Sequence, residues 1–370
     1  MKFVLITGHS ADQPRKTGFH FWADILEDRG IEVDFVTVGV SRITLLSKRR
    51  STIKGPFNKW VQVKGKIRKY VWIPVIHPIY VENKFIRITL KPLFLLYPYL
   101  MPAELRKGCA KADIFIIENG CGVMLVPHIF TINPDAKFIY NYSDRFSVVK
   151  FHEAVKESHY AALPYFDLIR LNSAFFKEDF PADVETHYIQ QAIDKSAFDR
   201  DIPNPYSHPH NVICVGDMIF DPAAVQELAA AYPDWRFHLF GKGARLDRPY
   251  KNVYEYGEMP FEDIIPYIKH ADVALAPYKD IPEAEYLSQS SLKLVQYTYC
   301  RLPIVAPNFA SQGRNHVIPY TRGNEGPNIQ AAFFIAQSFD RSSIDINDVS
   351  DWTDVIDFMI RFPFKDKIIS

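Results

Sequence analysis

Ser290, Ser291 and Lys293 stand where a loop is expected to turn into a helix, within Leu287 to Tyr297 (LSQSSLKLVQY). A helix start leaves backbone N–H groups without helical partners and carries partial positive charge, so it suits a phosphate. A lysine in the first turn adds a full charge there. The same residues also suit an ordinary capped helix with an exposed lysine, because serine is a favoured N-cap anywhere. A second chemical group is the carboxylate of Asp144, in Asn141-Tyr142-Ser143-Asp144 just past an apolar run. A carboxylate at a strand end suits general base catalysis on an incoming hydroxyl, an effect worth roughly 10²–10⁴ in rate. Its plainer role is to cap the helix that follows. Glu118, after Phe115-Ile116-Ile117, has the same two readings. His9 and His20 flank the first loop: His20 reads as packed on a helix, His9 as a candidate ligand contact.

Other constellations are weak or missing. Gly241-Lys242-Gly243 follows a strand-like run and would let backbone approach a ligand. It lacks the third glycine of a dinucleotide fingerprint, and no such pattern occurs at Gly8, which speaks against an NAD or FAD enzyme. No GxxxxGK[ST] supports a P-loop. Asp199-Arg200-Asp201 has the DxD form that holds a divalent ion in one class of sugar transferases. Here it opens a Pro/Asn-rich linker and reads as a solvated turn. Cys109, Cys121, Cys214 and Cys300 form no CxxC and no metal-ligand spacing. Scattered cysteines in a chain this size read as a reduced cytoplasmic protein.

The elements that must carry these groups alternate. Lys2 to Thr7, Ile31 to Val38, Ile114 to Ile117, Lys137 to Tyr140 and Leu168 to Leu171 are apolar strands, and Gly18 to Arg29 is a helix ending at Gly30. After the linker Asp199 to Pro209, strands at Val212 to Val215, Phe237 to Phe240, Val273 to Ala276 and Pro303 to Pro307 alternate with helices at Ala223 to Ala231, Ile264 to Lys269 and Leu292 to Tyr299. Ser350 to Arg361 is a last amphipathic helix. This is α/β, with parallel sheets covered on both faces and ligands beyond the strands' carboxyl ends. The 370 residues divide into an N-terminal acceptor- and membrane-binding domain (1–200), a nucleotide-sugar domain (201–349) and a terminal helix (350–370) returning to the first. Two such domains imply a cleft suited to group transfer.

Lys and Arg balance Asp and Glu at 43 each, but unevenly. Phe35 to Ala103 holds thirteen Lys or Arg against one acid, Glu82. Arg42 to Lys69 mixes cations with Trp60, and Tyr70 and Trp72 follow. Leu93 to Met101 is apolar but shorter than the roughly 20 residues that span a bilayer. The pattern suits an anionic membrane surface. Nucleic acid would use the same charges, and a solvated basic loop is the plain alternative. The N-terminus opens on a strand without signal-peptide architecture.

Leu292-Lys293-Leu294-Val295-Gln296-Tyr297 followed by Leu302-Pro303-Ile304-Val305-Ala306 resembles a signature of GT-B glycosyltransferases. Tyr256-Gly257-Glu258-Met259, Tyr267-Ile268-Lys269-His270-Ala271, Ala276-Pro277-Tyr278, Ser290-Ser291-x-Lys293, Val215-Gly216-x-Met218-x-Phe220-Asp221-Pro222 and Ser143-Asp144 resemble the xanthan-type glucuronosyltransferase (GumK) family. The likeness is dense from Val212 to Pro307 and thinner before Ile114. It implies a GT-B fold with two Rossmann-like domains facing a deep interdomain cleft. It also implies an inverting, metal-independent enzyme with no cofactor, attached to the cytoplasmic face of the inner membrane without spanning it. Such an enzyme moves glucuronate from UDP-glucuronate to a polyprenyl-diphosphate-linked oligosaccharide in exopolysaccharide biosynthesis, forming a β-linkage. Asp144 then matches the general base. Met218, Glu258, Met259, Tyr278, Ser290, Ser291, Lys293 and Gln296 form the donor set, with Lys293 stabilising the leaving group. His9, Arg15, Glu118 and Arg145 are candidate acceptor or sugar contacts, and Lys293, Arg145, Lys242 and Arg245 are candidate cations for the sugar carboxylate. The chain departs from the family at Asp144-Arg145-Phe146, which replaces a small Gly-containing turn, and at Asp12 to Lys16. No nucleic-acid partner is expected. Two other classes fit parts of the chain, a UDP-sugar enzyme that does not transfer and a basic nucleic-acid-binding protein.

Overall fold

The computed structural model describes residues 1–45, 53, 55–321, 326 and 328–363. It divides into two compact units. Met1–Gln13, Thr17–Ile189 and Val355–Ser370 make the first, Pro14–Lys16 and Gln190–Asp354 the second.

The first unit is built on an eight-stranded sheet. Its strands are β1 (Lys2–Thr7), β2 (Glu32–Thr37), β3 (Trp60–Lys64), β4 (Ile67–Val71), β5 (Ile114–Glu118), β6 (Lys137–Tyr142), β7 (Leu168–Leu171) and β8 (His187–Tyr188), in the order β3-β4-β2-β1-β5-β6-β7-β8. Every neighbouring pair is parallel except β3–β4. All six residues of β1 are buried, as expected for a strand covered on both faces. The chain passes from β1 to β2 on one side and takes up β5 on the other. The sheet's switch point, where such folds bind ligands, therefore lies at the carboxyl ends of β1 and β5.

In its described residues the basic stretch is not wholly the solvated loop that was the plain alternative. It supplies β4, an internal strand, and the antiparallel edge β3. Tyr70 and Trp72 are core residues, and Trp60 packs on Tyr70 with the Arg68 guanidinium 4.5 Å from its ring centre. Four of its described cations are answered locally. Arg68 makes two 2.8 Å bonds to the buried Asp34, which also takes Lys2 at 2.7 Å. Lys69 reaches Asp12 at 2.6 Å, Lys64 reaches Asp24 at 2.8 Å, and Lys66 donates to the Gly30 carbonyl. Buried charge is tolerated only when paired in this way. Lys48, Arg49, Arg50 and Lys54 lie outside the described residues.

The helix Lys84–Leu95 and the 3-10 turn Tyr97–Leu100 follow. Only Phe94, Tyr97 and Met101 anchor this region in the core, and Phe85 is 79%, Ile88 60% and Tyr99 71% exposed. No described helix is long and apolar enough to cross a membrane.

In the second unit β9 (Ala192–Ile193) will pair with the late strand β16. Six parallel strands form the main sheet: β10 (Asn211–Val215), β11 (Arg236–Phe240), β12 (Val253–Gly257), β13 (Val273–Leu275), β14 (Ile304–Pro307) and β15 (Val317–Tyr320), ordered β12-β11-β10-β13-β14-β15. Val212, Leu228, Phe237, Leu275 and Phe333 share one core. Here the switch point falls between β10 and β13. β16 (Ser350–Asp351) pairs with β9. It leads into the helix Trp352–Arg361, which groups with the first unit from Val355 on, where Asp357 pairs with Arg29.

Candidate functional site

The second unit gathers most of the residues expected to hold a donor near its switch point. The helix Leu292–Tyr299 starts there with Ser291 as its N-cap. The Ser291 hydroxyl makes no cap bond and instead meets the Tyr278 hydroxyl at 2.6 Å. The Lys293 ammonium lies over the Tyr278 ring, 4.5 Å from its centre, an arrangement favourable to a cation. A Cβ on Gly216 would sit 3.8 Å from the Lys293 Nζ, so the lysine reaches the end of β10. The phenol of Tyr297 on the same helix accepts the Val215 N–H at 2.7 Å, pinning the helix to that strand. Gln296 is buried three residues after Lys293, the spacing of helical neighbours. Ser290 does not open this helix. It closes the preceding turn Leu287–Ser290, is buried, and its carbonyl accepts from Gln191 at 3.1 Å.

The loops after β10, β11 and β12 are stitched together. The Gly216 N–H donates to the Phe240 carbonyl, the Gly241 N–H to the Gly257 carbonyl, and the Gly243 N–H to the Asp217 carboxylate, each at 2.7 Å. Gly241 has φ +141°, and a Cβ there would come within 3.2 Å of the Gly216 carbonyl carbon. Glycine is therefore required by conformation and by space. Met218 is half-buried between Gly216 and Phe220, and Phe220 bridges antiparallel to Tyr278. Glu258 is exposed and Met259 half-buried in the turn after β12. Lys242 and Arg245 are both exposed on the loop after β11.

In the first unit the switch point holds Thr7, His9, Glu118 and Asn119. Glu118 Oε2 accepts from the Thr7 hydroxyl and, at 3.3 Å, from the Gly8 N–H. Its other oxygen lies 3.8 Å from His9 Nε2, while His9 Nδ1 meets Gln13 Nε2 at 3.2 Å. Asp144 is half-buried on the neighbouring turn after β6. Asn119 holds that turn: its Nδ2 donates to the Asp144 carbonyl at 2.7 Å, and its Oδ1 accepts the Ser143 N–H at 3.0 Å and hydroxyl at 2.9 Å. Arg145 is turned inward, 7% exposed, and bonded to Asp179. That leaves it poorly placed as a sugar contact. Arg15 is exposed on the loop segment that groups with the second unit. His20 is buried, its Nε2 on the Ser10 carbonyl at 2.9 Å. Asp199 accepts from the Tyr299 hydroxyl at 2.7 Å. Asn119, Asp179, Asp217 and Tyr297 carry this geometry yet stand out less in sequence, since each acts through a hydrogen bond to a distant segment.

Two parallel-sheet units of this kind define a GT-B-like fold. The fold is shared with sucrose-phosphate synthase from Thermosynechococcus elongatus (TM-score 0.66, 13% identity, 97% of each chain). It is shared too with Anabaena HepE, solved with UDP and glucose (TM-score 0.59, 13% identity, 97% of this chain and 98% of that one). Residues 5–172 match the family model of the glucuronosyltransferase GumK N-terminal domain. Over 357 residues the chain is 28% identical to the UDP-glucuronate:glycolipid 2-beta-glucuronosyltransferase of Xanthomonas campestris pv. campestris, covering 96% of this chain and 88% of that protein. The chain is thus a glycosyltransferase whose sequence is similar to that of the GumK glucuronosyltransferases, as its motifs suggest.

Proposed function

We propose that the chain transfers glucuronate from UDP-glucuronate to a lipid-linked oligosaccharide in exopolysaccharide biosynthesis, with inversion and without a metal. Asp144 takes the proton of an acceptor hydroxyl. That oxygen attacks C1 of the UDP-α-sugar from the face opposite the leaving group, the C1–O bond to UDP breaks, and a β-linkage forms. Lys293 and the helix start at Ser291 carry the negative charge that grows on the departing diphosphate, where fixed positive groups lower the barrier. The observation that carries this reading is the Tyr278–Ser291–Lys293 cluster beside Gly216 at the switch point of the second sheet. Its support from relatives is the Xanthomonas enzyme, whose name states the same donor and a glycolipid acceptor.

The site of action under this proposal is the cytoplasmic face of the inner membrane. The exposed Phe85, Ile88, Leu96 and Tyr99 give an apolar surface for lipid contact. A thermal-shift panel of nucleotides and UDP-sugars tests the donor, since a ligand that binds the native state raises its melting temperature. UDP and UDP-glucuronate should stabilise the protein and other nucleotides should not. No shift with any uridine nucleotide would sink the proposal. Transfer should also survive EDTA; activity lost to EDTA and restored by Mn²⁺ would return Asp199-Arg200-Asp201 to consideration.

A further inference from the structure

We propose that Tyr142, Arg145 and Asp179 form a clamp that positions Asp144, an inference that rests on Asp144 being the base. Tyr142 ends β6 and Arg145 directly follows Asp144, so the pair brackets the Ser143-Asp144 turn. Both reach the same carboxylate: the Tyr142 hydroxyl donates to Asp179 Oδ2 at 3.1 Å and Arg145 Nε to the same oxygen at 3.2 Å. Arg145 Nη2 also donates to the Phe175 carbonyl at 2.8 Å, so the guanidinium grips two points of the 3-10 segment Ala174–Asp179. Asp179 sits at the end of that segment, which follows β7 closely. The turn's two ends are therefore tied to the neighbouring strand's connection, while Asn119 ties its middle to the end of β5.

Packing backs the clamp. The Phe146 ring lies 5.7 Å from Tyr142, 5.3 Å from Phe151 and 5.1 Å from His159. The N–H groups of Val148 and Val149 both return to the Arg145 carbonyl at 3.0 Å. These contacts fix the main chain on both sides of Asp144. A general base must stand within hydrogen-bond reach of its proton, and a displacement of about 1 Å in a reacting group can cost on the order of 10²-fold in rate. Tyr142, Arg145 and Asp179 are thus positioning residues that act through Asp144.

The test is a double-mutant cycle in the transfer assay. Asp179→Ala should lower kcat roughly 10- to 100-fold, leave KM for the UDP-sugar and the UDP-induced thermal shift unchanged, and cost nothing further in an Asp144→Asn background. Arg145→Lys, which keeps charge but loses the forked grip, should fall between wild type and Asp179→Ala. A wild-type kcat for Asp179→Ala, or an equal fold-loss in both backgrounds, would overturn the clamp. Should Asp179→Ala lose its UDP response through misfolding, Asp179→Asn and Tyr142→Phe carry the same cycle with smaller disturbance. Near-normal transfer by Asp144→Asn alone would strike down the base assignment itself. Loss of transfer in Asp144→Asn with none in the clamp variants removes only the clamp.

Discussion

Among the described residues Lys293 forms no ion pair, and its ammonium faces the Tyr278 ring and the glycine end of β10. An ammonium so placed can meet an anionic ligand. A charge-assisted bond to a diphosphate contributes about 1.5–3 kcal/mol, so Lys293→Ala should weaken UDP binding by roughly 10- to 100-fold and slow transfer. Titration calorimetry with UDP checks this, and unchanged affinity would remove Lys293 from the site. Asp144→Asn is expected to act differently. It keeps the side chain's shape and removes its basicity, so kcat should fall by roughly 10²–10⁴ with UDP affinity intact. Single-turnover transfer read alongside UDP binding separates the two roles, since Lys293 is assigned to the leaving group and Asp144 to the attacking oxygen.

Elements decide how those residues are held, and some were legible in sequence while others were not. The apolar strands β1, β5 and β6 and the helix before Gly30 show their periodicity plainly. β4 does not, because Arg68 and Lys69 interrupt its apolar pattern. Their charge is absorbed by Asp34 and Asp12, which lie far off in sequence. Ser290 looked like a helix start because two serines in a row fit any N-cap; only the backbone shows Ser291 as the boundary. The glycine patterns at Gly216 and Gly241 were both visible, but not that the two pack against each other. Gly241→Ala should destabilise the protein by about 1–3 kcal/mol, since its φ disfavours a side chain and a Cβ there would crowd the Gly216 backbone. Denaturant unfolding measures this, and a neutral result would mean the loops after β10 and β11 separate easily. The helix Lys84–Leu95 belongs to the same scale. Replacing Phe85, Ile88 and Tyr99 by serine removes apolar area that is already exposed. The folded state should lose little stability, yet flotation with anionic vesicles should drop sharply. Equal flotation of wild type and the triple variant would place membrane contact elsewhere.

At the scale of the whole molecule, three of the buried histidines are pushed toward the neutral form. Burial pushes His159 in the first unit, and His238 and His316 in the second, down to about 4. Each has a neutral partner: Tyr140 at 2.8 Å for His159, Tyr256 at 3.0 Å for His238 and Thr298 at 2.8 Å for His316. In the unfolded chain an imidazole takes a proton near 6.5. Between about 6.5 and 4 the unfolded state therefore binds protons that the folded state refuses, and stability falls as pH falls. Each site contributes a loss of about 2 kcal/mol between pH 7 and pH 5. Below about 4 these groups add no further loss. There Asp12 takes over. Burial raises its pKa, but Lys69 and Ser10 lower it further, so its carboxyl sits below the usual value. The stability its pair with Lys69 supplies is lost as pH drops through that lowered value. Denaturant unfolding at pH 7, 6 and 5 should show the slope, and both units should share in it because both hold such a histidine. His159→Asn keeps an acceptor for the Tyr140 hydroxyl but cannot take a proton. It should lower stability at pH 7 through lost packing, while making the first unit's fall toward pH 5 shallower by its share. An unaltered slope in that variant would mean that the folded protein already accommodates a charged His159 among its aromatic neighbours.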